Sequence, residues 1–185
     1  ADISRRRAWA WLGYGGLGLA ATATGLWGWQ QKNAPSANNF SHHPLNGSHL
    51  QALDGGRFDT ASFLQGQVAV LNFWAPWCPP CVAELPLIDA QYGAIADKTF
   101  QLLAIALDDL DAVQRFWRAR SLPHIQPVVA GYAGMQLMQA LGNSSGQLPF
   151  TLLLGADGAI LHSHLGELKT PDIASIFALA EQAAK

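Results

Sequence analysis

At 185 residues the chain is long enough for one domain with a sizeable core and an additional segment at one end. Half of its residues are hydrophobic and 13% are charged, which excludes an intrinsically disordered chain. A formal net charge of −2 makes nucleic acid an unsuitable partner.

Charge is unevenly placed. Arg5, Arg6 and Arg7 cluster near the N-terminus, and residues 8–29 then carry no charge at all. That run is rich in Ala, Gly, Leu and Trp, and a bilayer-spanning helix needs about 20 mostly apolar residues. Trp9 and Trp11 stand at one end and Trp27 and Trp29 at the other, where indole rings favour membrane interfaces. The expected organisation is a basic cytoplasmic N-terminus (1–7) followed by a transmembrane anchor or signal segment (8–29). The positive-inside rule then puts everything downstream outside the cytoplasm. A cleavable signal ending near Ala21-Thr22-Ala23 competes with the anchor, and both export the rest of the chain. A buried globular helix is a third reading, weakened by the absence of a polar face. Residues 30–47 are polar, with Asn, Ser, Pro and His, and read as a tether. The folded domain is expected over 48–185.

Within the domain, Leu50 to Phe58 can form a small hairpin turning at Asp54-Gly55-Gly56. Val68 to Trp74 is apolar, β-branched and aromatic, as a buried strand requires. Helical spacing follows from about Pro79 to Ala96. Phe100 to Leu107 is a second central strand, and Asp108 or Asp109 can cap the helix carrying Val113, Phe116 and Trp117. Pro127 to Ala130 is a short strand, and Ala133 to Leu141 a short helix ended near Gly142. Phe150–Leu154 and Ala159–His162 form a hairpin about Ala156-Asp157-Gly158. Pro171 suits the first turn of a closing helix that reaches Ala184. Strands alternating with helices, then a hairpin and a helix, imply an α/β fold with a central mixed sheet flanked by helices.

The only two cysteines, Cys78 and Cys81, lie between the first strand and the first long helix. A Cys-x-x-Cys pair at such a junction can close and reopen a disulfide with little backbone movement, and so can carry two electrons. The thiolate is the reactive species, and backbone N–H groups with the helix dipole favour negative charge on Cys78. Its pKa is expected below the ordinary thiol value of about 8.5. Cys81, inside the first turn, should be more buried. Cys78 is therefore the expected nucleophile and Cys81 the resolving thiol. Pro79 and Pro80 carry no N–H to donate to the Cys78 sulfur. A thiolate with fewer donors is less stabilised, which favours a reductant over a strong oxidant.

Leu71 to Pro86, reading Leu-Asn-Phe-Trp-Ala-Pro-Trp-Cys-Pro-Pro-Cys-Val-Ala-Glu-Leu-Pro, resembles the signature of the TlpA/ResA/CcmG-type thioredoxin-like proteins. Gln147-Leu148-Pro149-Phe150-Thr151 resembles that family's cis-proline segment, and the likeness runs from about Leu50 to Lys185. The resemblance implies a thioredoxin-like fold behind an N-terminal transmembrane helix, in a membrane-anchored disulfide oxidoreductase. Its catalytic domain would face the periplasm from the bacterial inner membrane. It implies a cis bond before Pro149, in a loop facing the disulfide, with Trp77, Pro79, Pro80 and Leu148 as a substrate-docking surface. Trp74 is expected in the core. Asn72 stands where thioredoxin has a buried acid, and Asn cannot titrate. Glu84, which matches the family motif, is then the candidate acid or base, against the plainer reading of a surface helical glutamate.

No cofactor beyond the Cys78–Cys81 pair and no metal is expected. Expected partners are exported thiol or disulfide proteins, such as apocytochrome c or copper-site cysteines, and a membrane thiol electron donor. Two other functions compete. A copper chaperone could use Cys78, Cys81 and a histidine, but none of the histidines is obviously placed for it. A thiol peroxidase of related fold has Thr three residues before its reactive cysteine, where this chain has Ala75. His162 and His164 can share one face of a strand end, yet two histidines more often serve as surface or hydrogen-bonded residues.

Overall fold

The computed structural model describes residues 43–46 and 48–185. The expected basic N-terminus, the apolar segment 8–29 and the tether up to residue 42 lie outside the described residues. Among the described residues no helix is long and apolar enough to cross a membrane.

Strand β1 (Val68–Trp74) is the centre of the fold, and all seven of its residues are buried. It shows no polar alternation because both of its faces are covered. On one side it pairs in parallel with β2 (Phe100–Ala106), which pairs in parallel with β3 (Gln126–Val129). On the other side it pairs antiparallel with β4 (Phe150–Leu154), which continues antiparallel into β5 (Ile160–Leu165). The sheet order is β3-β2-β1-β4-β5, the mixed sheet expected from the element pattern.

Among the described residues six further elements cover the sheet. Helices α1 (Thr60–Leu64), α2 (Pro79–Gly93), α3 (Leu110–Arg118), α4 (Gly134–Ala140) and α5 (Thr170–Ala183) are joined by a 3-10 turn at Gly131–Ala133. The period of two along β1 divides them between two cores. Val68, Val70 and Trp74 join Phe100 and Leu102 beneath Leu85 and Ile88 of α2, Val113 and Phe116 of α3, and Ile173 and Phe177 of α5. Ala69, Leu71 and Phe73 face the other way, with Leu103, Ile105 and Leu152, against Leu64 of α1 and Leu137 and Met138 of α4.

The elements depart from expectation in a few places. Helix α2 stops at Gly93, three residues early. Ile95 N–H bonds Tyr92 O in a tightened turn, which returns Ile95 to the core instead of carrying it around the helix. Asp109, not Asp108, caps α3 by accepting from Ala112 N–H at 2.7 Å, while Asp108 accepts from Asp109 N–H. Helix α1 is too short for periodicity to reveal. Its local signal is Asp59, whose carboxylate accepts from both Ser62 N–H and Ser62 Oγ. Leu45, inside the stretch read as tether, is fully buried in the core. The expected hairpin near Leu50 reduces to one bridge, Gln51 to Arg57, and Gln51 also bridges Val129 along the outer edge of β3.

Asp89 ties α2 to the chain entering β3. Its buried carboxylate accepts from His124 N–H at 2.9 Å and Ile125 N–H at 3.2 Å. Gly93, on the last turn of the same helix, leaves room for the His124 ring where a Cβ would collide. Hydrogen bonds to a charged group contribute about 1.5–3 kcal/mol. Asp89→Ala should lower the unfolding free energy in urea by about that amount, and Asp89→Asn, which keeps one acceptor, by clearly less.

Candidate active site

Cys78 is the N-cap of α2, in extended conformation, with Pro79 and Pro80 as the first helical residues. Proline suits these positions because its fixed φ is already helical and its missing N–H would be unpaired there. The first turn is secured by Val82 N–H donating to Cys78 O at 3.1 Å. Cys78 and Cys81 are joined by a disulfide, with Cα atoms 5.3 Å apart. Cys78 keeps 5% of its surface and Cys81 none, so only Cys78 is open to a partner. Helix geometry produces this asymmetry: the N-cap stands at the mouth, and Cys81, three positions on, turns into the core that also holds Trp74 and Leu85.

Trp77 is 61% exposed beside the disulfide, whereas Trp74 is sealed. The Trp74 ring lies 4.6 Å from Phe116 and 5.8 Å from Trp117, centroid to centroid. Trp77, Cys78, Pro79 and Pro80 form one wall of an open groove, and Gly146, Gln147 and Leu148 form the other. None of these residues is charged. The Leu148–Pro149 peptide is cis, as the resemblance implied. Asn143, which sequence reading passed over, organises this second wall. Its buried side chain donates to Gln147 O at 2.8 Å and accepts from Ser145 Oγ and Gly146 N–H. The sequence signal was a short Asn-Ser-Ser-Gly turn just before the proline.

Glu84 is not on the surface. It sits one turn after Cys81 and is fully buried. Asn72 Nδ2 donates to Glu84 Oε1 at 2.7 Å, and Leu168 N–H donates to Oε2 at 2.6 Å. The same Asn72 amide donates to Thr151 Oγ1 at 3.0 Å. Thus β1 and the segment before α5 both donate to a carboxyl carried by α2, and β4 joins through the Asn72 amide. Burial pushes its pKa up to about 7, against the lowering effect of the two hydrogen bonds. Glu167 nearby raises it a little further and Lys169 opposes that, and these two side chains bridge each other. Asn72 and Thr151 are therefore site residues. Their signal was register: Asn72 shares a strand face with Val70 and Trp74, and Thr151 lies two residues beyond the cis-proline.

These features give the site a carboxyl group that titrates near neutrality behind a half-open disulfide. Glu84 carries a consequence for stability. A carboxyl whose folded pKa exceeds its unfolded value of about 4.5 holds its proton more tightly when folded. The associated stabilisation is complete below pH 4.5, falls as pH rises toward 7, and is absent above. Its full size is roughly 3 kcal/mol, at about 1.4 kcal/mol for each pH unit between the two values. In urea titrations from pH 8 to pH 5, wild type should gain stability relative to Glu84→Gln by an amount of that order. A difference that stays flat across this range would show that the carboxyl is not held at a raised pKa.

The site and fold have clear relatives. The model of the family described as Redoxin matches residues 30–179. The thiol-disulfide oxidoreductase ResA of Bacillus thuringiensis is 30% identical over 137 residues, covering 74% of this chain and 69% of that protein. Among solved structures, a thioredoxin-related protein from Neisseria meningitidis serogroup B aligns with a TM-score of 0.63 at 26% identity, over 72% of this chain and 98% of the other. A secreted disulfide oxidoreductase of Mycobacterium tuberculosis, homologous to E. coli DsbE, aligns with a TM-score of 0.58 at 26% identity, over 75% and 98%.

Proposed function

The chain belongs to the Redoxin family, as a thioredoxin-like thiol-disulfide oxidoreductase of ResA type, and we propose that it works as an anchored disulfide reductase on exported proteins. The observation that carries this reading is the asymmetry of the pair. Cys78 opens to an uncharged groove, while Cys81 is sealed on the same helix as a carboxyl titrating near pH 7.

In the reducing direction both cysteines begin as thiols. The Cys78 thiolate attacks one sulfur of the target disulfide, forming a mixed disulfide and releasing the other target sulfur as a thiolate. Cys81 loses its proton to Glu84 and attacks Cys78 Sγ. The second target sulfur departs, two electrons have passed to the target, and the Cys78–Cys81 disulfide seen here is the oxidised product. A base with pKa about 7 suits this step, because it can accept a proton near neutrality and return it when the pair is reduced again. A membrane thiol donor would perform that second reduction.

The two prolines favour the reducing direction. Of the first three helical positions, only Cys81 offers an amide hydrogen, since Pro79 and Pro80 have none. With fewer donors, the Cys78 thiolate gains less from the helix start, and the reduced form yields its electrons more readily. Trp77, Pro79, Pro80 and Leu148 would bind an extended, largely uncharged stretch around the target cysteine, with Pro149 shaping the loop that pairs with it. Residues 8–29 support anchoring in the bacterial inner membrane, with the N-terminus cytoplasmic and the catalytic domain periplasmic. Apocytochrome c or copper-site cysteines are suitable targets for a reductase so placed.

Two measurements test this proposal. Cys81→Ser should accumulate mixed disulfides with exported proteins through Cys78, and Cys78→Ser should accumulate none; trapping through Cys81 alone would reverse the assignment. The reduction potential of the pair should lie well below the roughly −120 mV of a strong periplasmic oxidant. A value near that figure would make the protein an oxidase.

A further inference from the structure

Strand β5 (Ile160–Leu165) is an edge of the sheet, paired only with β4 among the described residues. Exposed edges are usually guarded by charge, proline or a β-bulge; β5 carries no charge and no proline, and its one irregularity is a register shift at Leu161, before the Ser163 centre. Instead Ile160, Leu161 and Leu165 are each about half exposed. Its sequence is also self-complementary. Leu161-His162-Ser163-His164-Leu165 reads the same in both directions about Ser163.

Backbone geometry agrees with that symmetry. Gly166 N–H donates to Pro149 O at 2.9 Å, which marks Gly166 as turned toward β4. In an antiparallel ladder the inward and outward residues alternate. His164 and His162 then spend their backbone groups on Thr151 and Leu153, their register partners. Ser163 and Leu165 point theirs outward, to the edge that is unpaired among the described residues. A second β5 approaching antiparallel can bond to these groups when Ser163 faces Ser163. In that register Leu161 meets Leu165 of the second copy, and His162 meets His164 of the second copy.

We propose that two copies of this chain pair their outer β5 edges about Ser163, and that the four imidazoles brought together bind one divalent transition-metal cation of the zinc, copper or nickel kind. Register places His162 and His164 on the same sheet face as Leu153 and Thr151. A two-fold axis normal to the sheet keeps all four rings on that face. Facing histidines form a non-hydrogen-bonded pair with Cα atoms about 4.5 Å apart, and those within one copy stand about 7 Å apart. Imidazole nitrogens suit these metals. Among the described residues no group of three or more ligating side chains exists in one chain, so the site is complete only in the pair.

The test uses the full chain in mild detergent, oxidised at Cys78–Cys81 so that thiols do not compete for metal. Sedimentation equilibrium with zinc chloride should give two chains per particle, and zinc analysis after dialysis should give one zinc per two chains. Ser163→Pro removes an outward N–H at an edge position that tolerates proline, and should lose the pairing while keeping its circular dichroism. Leu165→Lys, which adds a guarding charge, should lose it too. Any association through residues 8–29 is common to all variants, so the difference between them reports on β5 alone. His162→Asn/His164→Asn should lose the bound zinc and the zinc-dependent part of the association. Equal masses for wild type and both edge variants would overturn the interface. Unchanged zinc in the double histidine variant would overturn the metal assignment.

Discussion

One buried carboxyl group organises this site. Glu84 could not be sealed inside a protein without partners, because an isolated buried charge costs far more than a folded domain can spare. Here each oxygen has a fixed donor, Asn72 Nδ2 on one side and Leu168 N–H on the other. Those donors come from the central strand and from the entry to the last helix, so the fold must be complete before the carboxyl is satisfied. Its raised pKa expresses the balance: burial pushes it up, the two hydrogen bonds pull it down, and it settles near neutrality. A fully solvated glutamate would remain ionised near neutrality, and one with no donors would stay protonated.

The same packing explains how two chemically identical thiols become unequal. Cys78 is held at the helix cap by Pro79 and Pro80, which start α2 where the strand-to-helix junction ends. Cys81 is carried inward by the helical period onto the face that already holds Leu85 and Ile88. The opposite wall of the groove comes from a loop near residue 147, set by Asn143 and delivered by the antiparallel pairing of β4 with β1. Disulfide and carboxyl are thus both placed by α2, and the docking wall by the loop that enters β4, the antiparallel partner of β1. That strand is buried along its whole length, which makes it a fixed reference for all three.

The opposite end of the sheet has a different character. The β3 edge is bridged by Gln51, so its free groups are partly spent. The β5 edge is neutral, half apolar and symmetric in sequence, lying one strand beyond the β4 residues that meet Asn72. His164 on that edge pairs with Thr151, which accepts from the Asn72 amide, so the proposed pairing surface lies one strand from the redox site.

Local sequence carried much of the architecture. Val68–Trp74 matched its strand to the residue, because an unbroken apolar, β-branched run admits little else, and the Cys-Pro-Pro-Cys junction announced both the helix start and the redox chemistry. Helix ends and short elements were less legible. The stop of α2 at Gly93 and the existence of α1 depend on a tightened turn and a single capping side chain. Glu84 marks the limit most clearly. Its match to the family motif nominated it, yet the same helical position suits an exposed glutamate equally well. Only the arrival of Asn72 and Leu168, distant in sequence, decided that it is buried, paired and titrating near neutrality. A sequence states which groups are available. Desolvation, which shifts a pKa, depends on what the rest of the chain places around them.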